Sequence, residues 1–81
     1  TMNIGKRSRY RVRLIHRNVP GVMARVNQIF ASSEANVDAQ ILATLDEVGY
    51  VLTDISAGLG REALEELSHL PETIRLIATP L

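Results

Sequence analysis

The sequence contains no cysteine, which excludes a disulfide framework, a zinc knuckle and a CxxC redox site. Aromatic residues are also scarce, since the 81 residues include one Phe, two Tyr and no Trp. No apolar run approaches the roughly 18–20 residues of a membrane span, and the first five residues lack the apolar stretch of a signal peptide. A cytoplasmic protein without a membrane partner is therefore expected.

Net charge is absent as well, because nine basic residues balance nine acidic ones. A general polyanion binder needs surplus Lys and Arg to displace counterions, so nucleic acid is not the expected partner. The basic residues nevertheless cluster ahead of the first acid, Glu34. We interpret residues 1–8 as a basic tail or the remnant of a linker, and residues 9–81 as one domain.

The pattern of apolar residues predicts alternating strands and helices. Residues 9–16 alternate with period two, which is typical of a strand with one buried face. Residues 18–21 form a turn and a helix start, and an apolar stripe then recurs at helical spacing at Val22, Val26, Ile29 and Phe30. Residues 37–44 and 50–55 alternate again, on either side of a short turn, and so predict a hairpin. A second helix ends at Pro71, and a last short strand follows it.

The resulting order, βαββαβ, predicts an α+β fold of the ferredoxin-like type. Right-handed crossovers then give a four-stranded antiparallel sheet with both helices on one face. Strand one lies centrally, beside strands three and four, and strand two is an exposed edge. We expect Val37, Ala39, Ile41 and Ala43 to point inward on that edge, with uncharged Gln40, Leu42 and Thr44 outward. An edge so poorly defended against pairing predicts a homodimer through strand two.

The segment from His16 to Gly21 is the most suggestive candidate site. It connects a central strand to a helix N-terminus, where free N–H groups and the helix dipole favour a carboxylate. His16 and Asn18 add hydrogen-bonding side chains that suit an amino acid. The residues also fit a plainer interpretation, in which Asn18 satisfies the turn and His16 merely ends the strand. Asn36, at the start of strand two, is equally open to a turn role.

Other chemistry is weakly supported. Arg9, Arg11 and Arg13 could contact RNA phosphates from the open sheet face, but RNA-binding domains of this topology also stack bases on aromatic residues there. A solvated stripe paired with Asp54 fits better. The two histidines, His16 and His69, belong to no visible triad or metal-ligand spacing. We therefore expect no catalytic residue and no metal site in this chain.

The run from Leu14 to Val22, LIHRNVPGV, resembles the opening of ACT domains, above all those at the C-terminus of the phosphoglycerate dehydrogenase family. The similarity continues through residues 27–30, 36–40, 49–55 and 70–75. The His-x-Asn-x-Pro-Gly element, with the later Asn36 and Gly49-Tyr50, is its most specific part. The sequence departs from the family at Glu34 and Glu72, where glycine is usual.

The resemblance implies a regulatory domain rather than an enzyme. Members of that family use NAD to commit 3-phosphoglycerate to serine synthesis, and in many of them L-serine inhibits allosterically through this domain. Its ligand then lies between two domains, with His16 and Asn18 from one subunit and Asn36 from the other. Pro20 and Gly21 would support the loop. NAD would bind in the catalytic domain of the host oxidoreductase, so no cofactor is expected here.

Two other classes of function remain open from the sequence. One is an ACT domain of another enzyme of amino-acid metabolism, which senses a different amino acid. The other is an RNA-binding module of the same topology, whose affinity for RNA would weaken steeply with salt.

Overall fold

The computed structural model describes residues 9–33, 35–56 and 59–81. The tail assigned to residues 1–8, Glu34 and Gly58 lie outside these ranges. The elements follow the predicted order: β1 (Arg9–Arg17), α1 (Val22–Ser32), β2 (Asn36–Leu45), β3 (Val48–Ser56), α2 (Arg61–Ser68) and β4 (Thr73–Pro80). No helix in the described part of the chain is long and apolar enough to cross a bilayer.

The four strands form one antiparallel sheet in the order β2-β3-β1-β4. This confirms the α+β, ferredoxin-like fold, with β1 inside the sheet and β2 at an edge. The register of β1 against β3 places Arg11 opposite Asp54 and Arg13 opposite Leu52, as the alternation predicts. These residues lie on the face of the sheet away from the helices, which we call the open face.

The core lies between the other face of the sheet and the two helices. The apolar residues of β1 and the stripe of α1 meet there, as predicted, and β3 and α2 contribute the rest. Residues on one face of a strand are two apart, and those on one face of a helix are three or four apart. Each element therefore contributes a few side chains to the core. The buried cluster comprises Val12, Leu14, Val22, Val26, Phe30, Val51, Ile55 and Leu67.

The predicted facing of β2 is wrong beyond Val37. Val37 lies opposite Ile55, but the register shifts between Val37 and Ala39, so that Ala39 pairs with Asp54 on the open face. A bulge inserts one extra residue into a strand, so the side chains that follow it change faces. Ala39, Ile41 and Ala43 therefore lie on the open face, and Gln40, Leu42 and Thr44 on the helix face.

Strand β4 contains a similar irregularity near its start. Ile74 is 54% exposed, whereas Leu76, two residues further on, packs against the core. A register shift between Ile15 and His16 in the β1–β4 pairing brings Thr73 opposite His16. The Thr73 hydroxyl then donates a hydrogen bond to the Leu67 carbonyl of α2, at 2.6 Å. This hydrogen bond joins the end of α2 to the start of β4.

Candidate functional site

Three connections meet at the end of the sheet where β1 finishes, which we call the His16 end. They are the β1–α1 loop (residues 18–21), the β2–β3 turn (46–47) and the α2–β4 loop (69–72). The N–H of Arg17 donates to the Glu72 carbonyl and the N–H of Asn18 to the Glu47 carbonyl, both at 2.8 Å. Backbone hydrogen bonds therefore connect all three segments.

His16 lies on the helix face and is only 2% exposed. Its Nδ1 lies 2.8 Å from the Arg17 carbonyl oxygen. Because a carbonyl can only accept, the neutral ring carries its proton on Nδ1, and Nε2 presents a lone pair. Nε2 is buried and has no hydrogen-bond partner within the described ranges of the chain. Since buried polar atoms are nearly always paired, this atom is available for a ligand or a water molecule.

Asn18 lies beside His16 in the chain but is exposed. Its Nδ2 donates to the Asp46 carbonyl at 3.2 Å, which attaches the β1–α1 loop to the β2–β3 turn. A cleft of about 210 Å³ opens here, lined by Arg17, Asn18, Val19 and Glu47. Asn18 therefore stabilises the turn, as the plainer interpretation predicts, and a cleft of amino-acid size lies next to it.

Pro20 and Gly21 lead into α1. Gly21 has a φ of 87°, in the left-handed region that a side chain disfavours, and α1 begins at the next residue. No side chain caps this helix and its first turn carries no acid. The N-terminus of α1, at the positive end of the helix dipole, therefore suits a carboxylate.

Asn36 lies at the opposite end of the sheet, opposite Ser56. Its Nδ2 donates to Asp38 Oδ1 at 3.0 Å and to Ser56 Oγ at 3.1 Å. Within one chain the structure therefore brings together His16, Asn18, Pro20 and Gly21, but not Asn36. Glu34, which precedes β2 and replaces the glycine usual in the family, lies outside the described ranges.

Glu72 is a polar residue of this end that the pattern analysis did not assign to the site. It forms an ion pair with Arg25 of α1, and its Oε1 is buried with no partner among the residues that the structure describes. The Arg25 guanidinium, which hydrogen-bonds the carboxylate, holds the pKa of Glu72 below its usual range. The signal in the sequence was the departure from the glycine that is usual at this position.

The open face gives little support to an RNA-binding function. Arg11 forms a two-pronged ion pair with Asp54, with Nε–Oδ1 at 2.7 Å and Nη2–Oδ2 at 2.9 Å. Tyr10 packs against the core on the other face, which leaves Tyr50 as the aromatic residue on the open side. Across the described residues, no group of three or more His, Asp and Glu side chains could hold a metal ion.

The fold and the loop at the end of its central strand define a regulatory domain of the ACT type. The chain belongs to the ACT family, since the model of the AHAS small subunit-like ACT domain matches residues 12–75. A solved structure, the ACT domain from GTP pyrophosphokinase of Chlorobium tepidum, superimposes with a TM-score of 0.76 at 10% identity. It covers 91% of this chain and 100% of that one, and it supports the fold alone.

Curated relatives are dehydrogenases. The chain is 43% identical over 63 residues to D-3-phosphoglycerate dehydrogenase of Escherichia coli (strain K12), a match that covers 75% of this chain and 15% of the relative. It is 38% identical over 68 residues to D-3-phosphoglycerate dehydrogenase of Dictyostelium discoideum, covering 84% of this chain and 16% of the relative. The chain thus spans about a sixth of the length of these relatives and is similar to a small part of each.

Proposed function

We propose that this chain is the amino-acid-sensing part of an NAD-dependent dehydrogenase of the phosphoglycerate dehydrogenase type, and that L-serine is its ligand. The observation that carries the proposal is the buried His16 side chain at the end of β1, whose Nε2 has no partner among the described residues, with the uncapped α1 following in the chain. The similarity to D-3-phosphoglycerate dehydrogenases supports the choice of host and ligand. The NAD site and the catalytic residues would lie in the rest of the host enzyme.

The groups at the His16 end match the parts of a small zwitterion. Serine has little apolar surface, so its affinity must come from directed polar contacts. The N-terminus of α1 with Asn18 would hold its carboxylate, because both supply N–H donors. His16 Nε2, as an acceptor, would accept a hydrogen bond from the hydroxyl of serine. Glycine and alanine lack that hydroxyl and should bind more weakly.

The proposed dimer uses β2, all ten residues of which are exposed. Ile41 on the open face is 61% exposed, and Leu42 on the helix face 49%. Such a strand, with apolar side chains exposed on both faces and an unpaired edge, is suited to pairing with a strand of a second sheet. We therefore assign the edge of β2 to pairing with a second copy of the chain, which would form one eight-stranded sheet.

Such pairing would complete the site. Two β2 strands related by a two-fold axis run antiparallel, so the start of one strand lies beside the end of the other. β2 ends at Leu45, and the next residue, Asp46, accepts the hydrogen bond from Asn18. Asn36 of one copy would thus reach the His16 end of the other, although the two ends are far apart within a chain.

Mixed dimers test the shared site directly. Asn18→Ala and Asn36→Ala should each weaken L-serine binding by about 10- to 150-fold, the loss expected for a hydrogen bond to a charged group. When the two variants are mixed and exchanged, each mixed dimer regains one unmodified site and one doubly altered site. Calorimetry on the mixture should therefore recover tight binding in about a quarter of all sites, since half of the dimers are mixed.

The matched control is either variant mixed with itself, which should recover nothing. Recovery no greater than in this control would contradict a site built from two copies. Failure of the unmodified dimer to bind L-serine at millimolar concentration would contradict serine as the ligand. The ACT family would stand after either result.

A second candidate ligand follows from the family model, whose description names the AHAS small subunit rather than a dehydrogenase. On that alternative the domain senses a different amino acid for a different host. A calorimetric titration with all common amino acids separates the two, because L-serine should give the tightest binding on our proposal. In either case the ligand would regulate its host only through different affinities for two arrangements of the subunits.

A further inference from the structure

Two buried side-chain atoms have no hydrogen-bond partner among residues 9–33, 35–56 and 59–81. They are Nε2 of His16 and Oε1 of Glu72. Both residues lie at the His16 end, since Thr73, next to Glu72, pairs with His16 across the sheet. Native proteins rarely bury such atoms unpaired, and both atoms lie at the same end of the sheet, where they can accept hydrogen bonds from a ligand.

The carboxylate of Glu72 is held in place by its surroundings. Its Oε2 binds Arg25 of α1, and its carbonyl oxygen accepts the N–H of Arg17 at 2.8 Å. The side chain is 17% exposed, so the group lies close to the surface without being solvated on all sides. Because the pKa of Glu72 is lowered by Arg25, the carboxyl is ionised at neutral pH and can only accept hydrogen bonds.

The two unpaired atoms are therefore both acceptors when His16 is neutral. An amino acid brings two kinds of donor, a hydroxyl in the case of serine and a protonated amine in every case. The start of α1 and Asn18 supply donors for the carboxylate of the ligand, but they offer no negative charge to its amine. Glu72 supplies that charge, and a charge-assisted hydrogen bond is about twice as strong as a neutral one.

We propose that Oε1 of Glu72 accepts a hydrogen bond from the protonated α-amino group of the ligand, so that the site selects amino acids over the corresponding 2-hydroxy acids. The inference rests on the proposed function, in that it uses the same site, but it does not depend on which amino acid is sensed. Arg25 acts as a positioning residue, because it fixes the other carboxylate oxygen.

The test compares ligands that differ only at the amine. The unmodified domain and Glu72→Gln are titrated in a calorimeter with L-serine and L-glycerate, and with L-valine and its 2-hydroxy analogue. Glu72→Gln should lower the affinity for the amino acid that the unmodified domain binds by about 10- to 150-fold. Its effect on the hydroxy acid should stay below about threefold, so the preference for the amino acid is largely lost.

The matched control is Glu62→Gln, which removes an exposed carboxylate in the first turn of α2, outside the proposed site. It should leave the affinity for the amino acid within about threefold, because water screens an exposed charge. A loss in Glu62→Gln as large as that in Glu72→Gln would overturn the assignment of the amine to Glu72.

Equal losses for the amino acid and the hydroxy acid in Glu72→Gln would also overturn it, since they would show that the Arg25–Glu72 pair only maintains the loop. If the unmodified domain binds L-valine but not L-serine, the choice of serine fails and the selection by Glu72 is tested on valine. If it binds no amino acid at all, both the proposed function and this inference are overturned.

Discussion

The imidazole of His16 occupies the volume in which a side chain at Gly49 would lie. A Cβ atom at Gly49 would be 2.3 Å from Cε1 and 2.6 Å from Nε2 of His16. The two residues are direct partners in the β1–β3 ladder. Glycine is thus required at residue 49 by the space the ring needs, and the ring is held over the backbone of β3.

Gly49→Ala should displace the His16 ring or strain the strand. Overpacking of this kind typically costs about 1–3 kcal/mol of unfolding free energy. Affinity for the amino acid should also fall at least about tenfold, because Nε2 leaves its position. Urea unfolding and calorimetry measure the two effects. The control is Gly60→Ala, where nothing lies within 4 Å of the added Cβ and the cost should stay below about 1 kcal/mol. Equal effects from both substitutions would contradict the role of Gly49.

Ile41→Lys should prevent dimerisation without unfolding the domain. Charged lysine on an exposed edge strand is a common defence against pairing, because pairing would bury its charge. Sedimentation equilibrium should show at least about a tenfold weaker dimer. Ile77→Lys, at the other edge of the sheet on β4, is the matched control and should leave the dimer intact. If Ile77→Lys were the more disruptive substitution, the interface would have to be moved to β4.

Gln40→Ala tests the reversed facing of β2. The Gln40 amide donates to Thr53 Oγ1 at 2.9 Å and to Asn27 Oδ1 at 3.0 Å, so it joins β2 to β3 and to α1. Loss of the partner of buried Thr53 should destabilise the domain by about 1–2 kcal/mol in urea. Thr44→Ala, on the same strand and face, should cost less than about 0.5 kcal/mol. If Gln40→Ala were as mild as Thr44→Ala, Gln40 would face outward as the simple alternation predicts.

Asp54→Asn tests the ion pair on the open face. Hydrogen bonding from Arg11 lowers the pKa of Asp54, so the folded state favours the ionised carboxylate. The stability this provides is present above the pKa of the unfolded chain and is lost as the pH falls through the lower folded value. At pH 7 the melting temperature should drop by less than about 5 °C, because the pair is partly solvated. The difference from the unmodified protein should shrink as the pH falls through the lowered pKa of Asp54 in the folded state and vanish below it. A drop of 15 °C or more would show that the pair is essential to the fold.

The sequence predicts the order of elements and the sheet because its strongest signals are periodic. The alternation in residues 9–16 and the stripe from Val22 to Phe30 each describe one element with one buried face, and the structure confirms both. The Pro-Gly turn likewise predicts the loop between them. His16 and Asn18 could be placed at one end of the sheet from the same pattern, because His16 lies near the end of β1 and Asn18 directly follows the strand.

Local periodicity could not predict features that depend on a neighbouring strand. The bulge after Val37 reverses β2, yet both of its faces carry apolar and small residues, so either facing fits the pattern. The buried position of His16 depends on Gly49, which lies 33 residues away in the chain. The pairing of Glu72 with Arg25 joins residues 47 apart, and no short-range pattern records such contacts.

The placement of Asn18 and Asn36 at opposite ends of one sheet has a consequence for how the domain would respond in a cell. If one ligand molecule requires both, no isolated chain possesses a complete receptor, and occupancy depends on the concentration of the protein as well as that of the amino acid. Ligand binding and association then reinforce each other by mass action, so the amino acid should tighten the dimer and dilution should blunt the response. Such a receptor detects the coincidence of two conditions, because it binds the metabolite fully only where two subunits are associated.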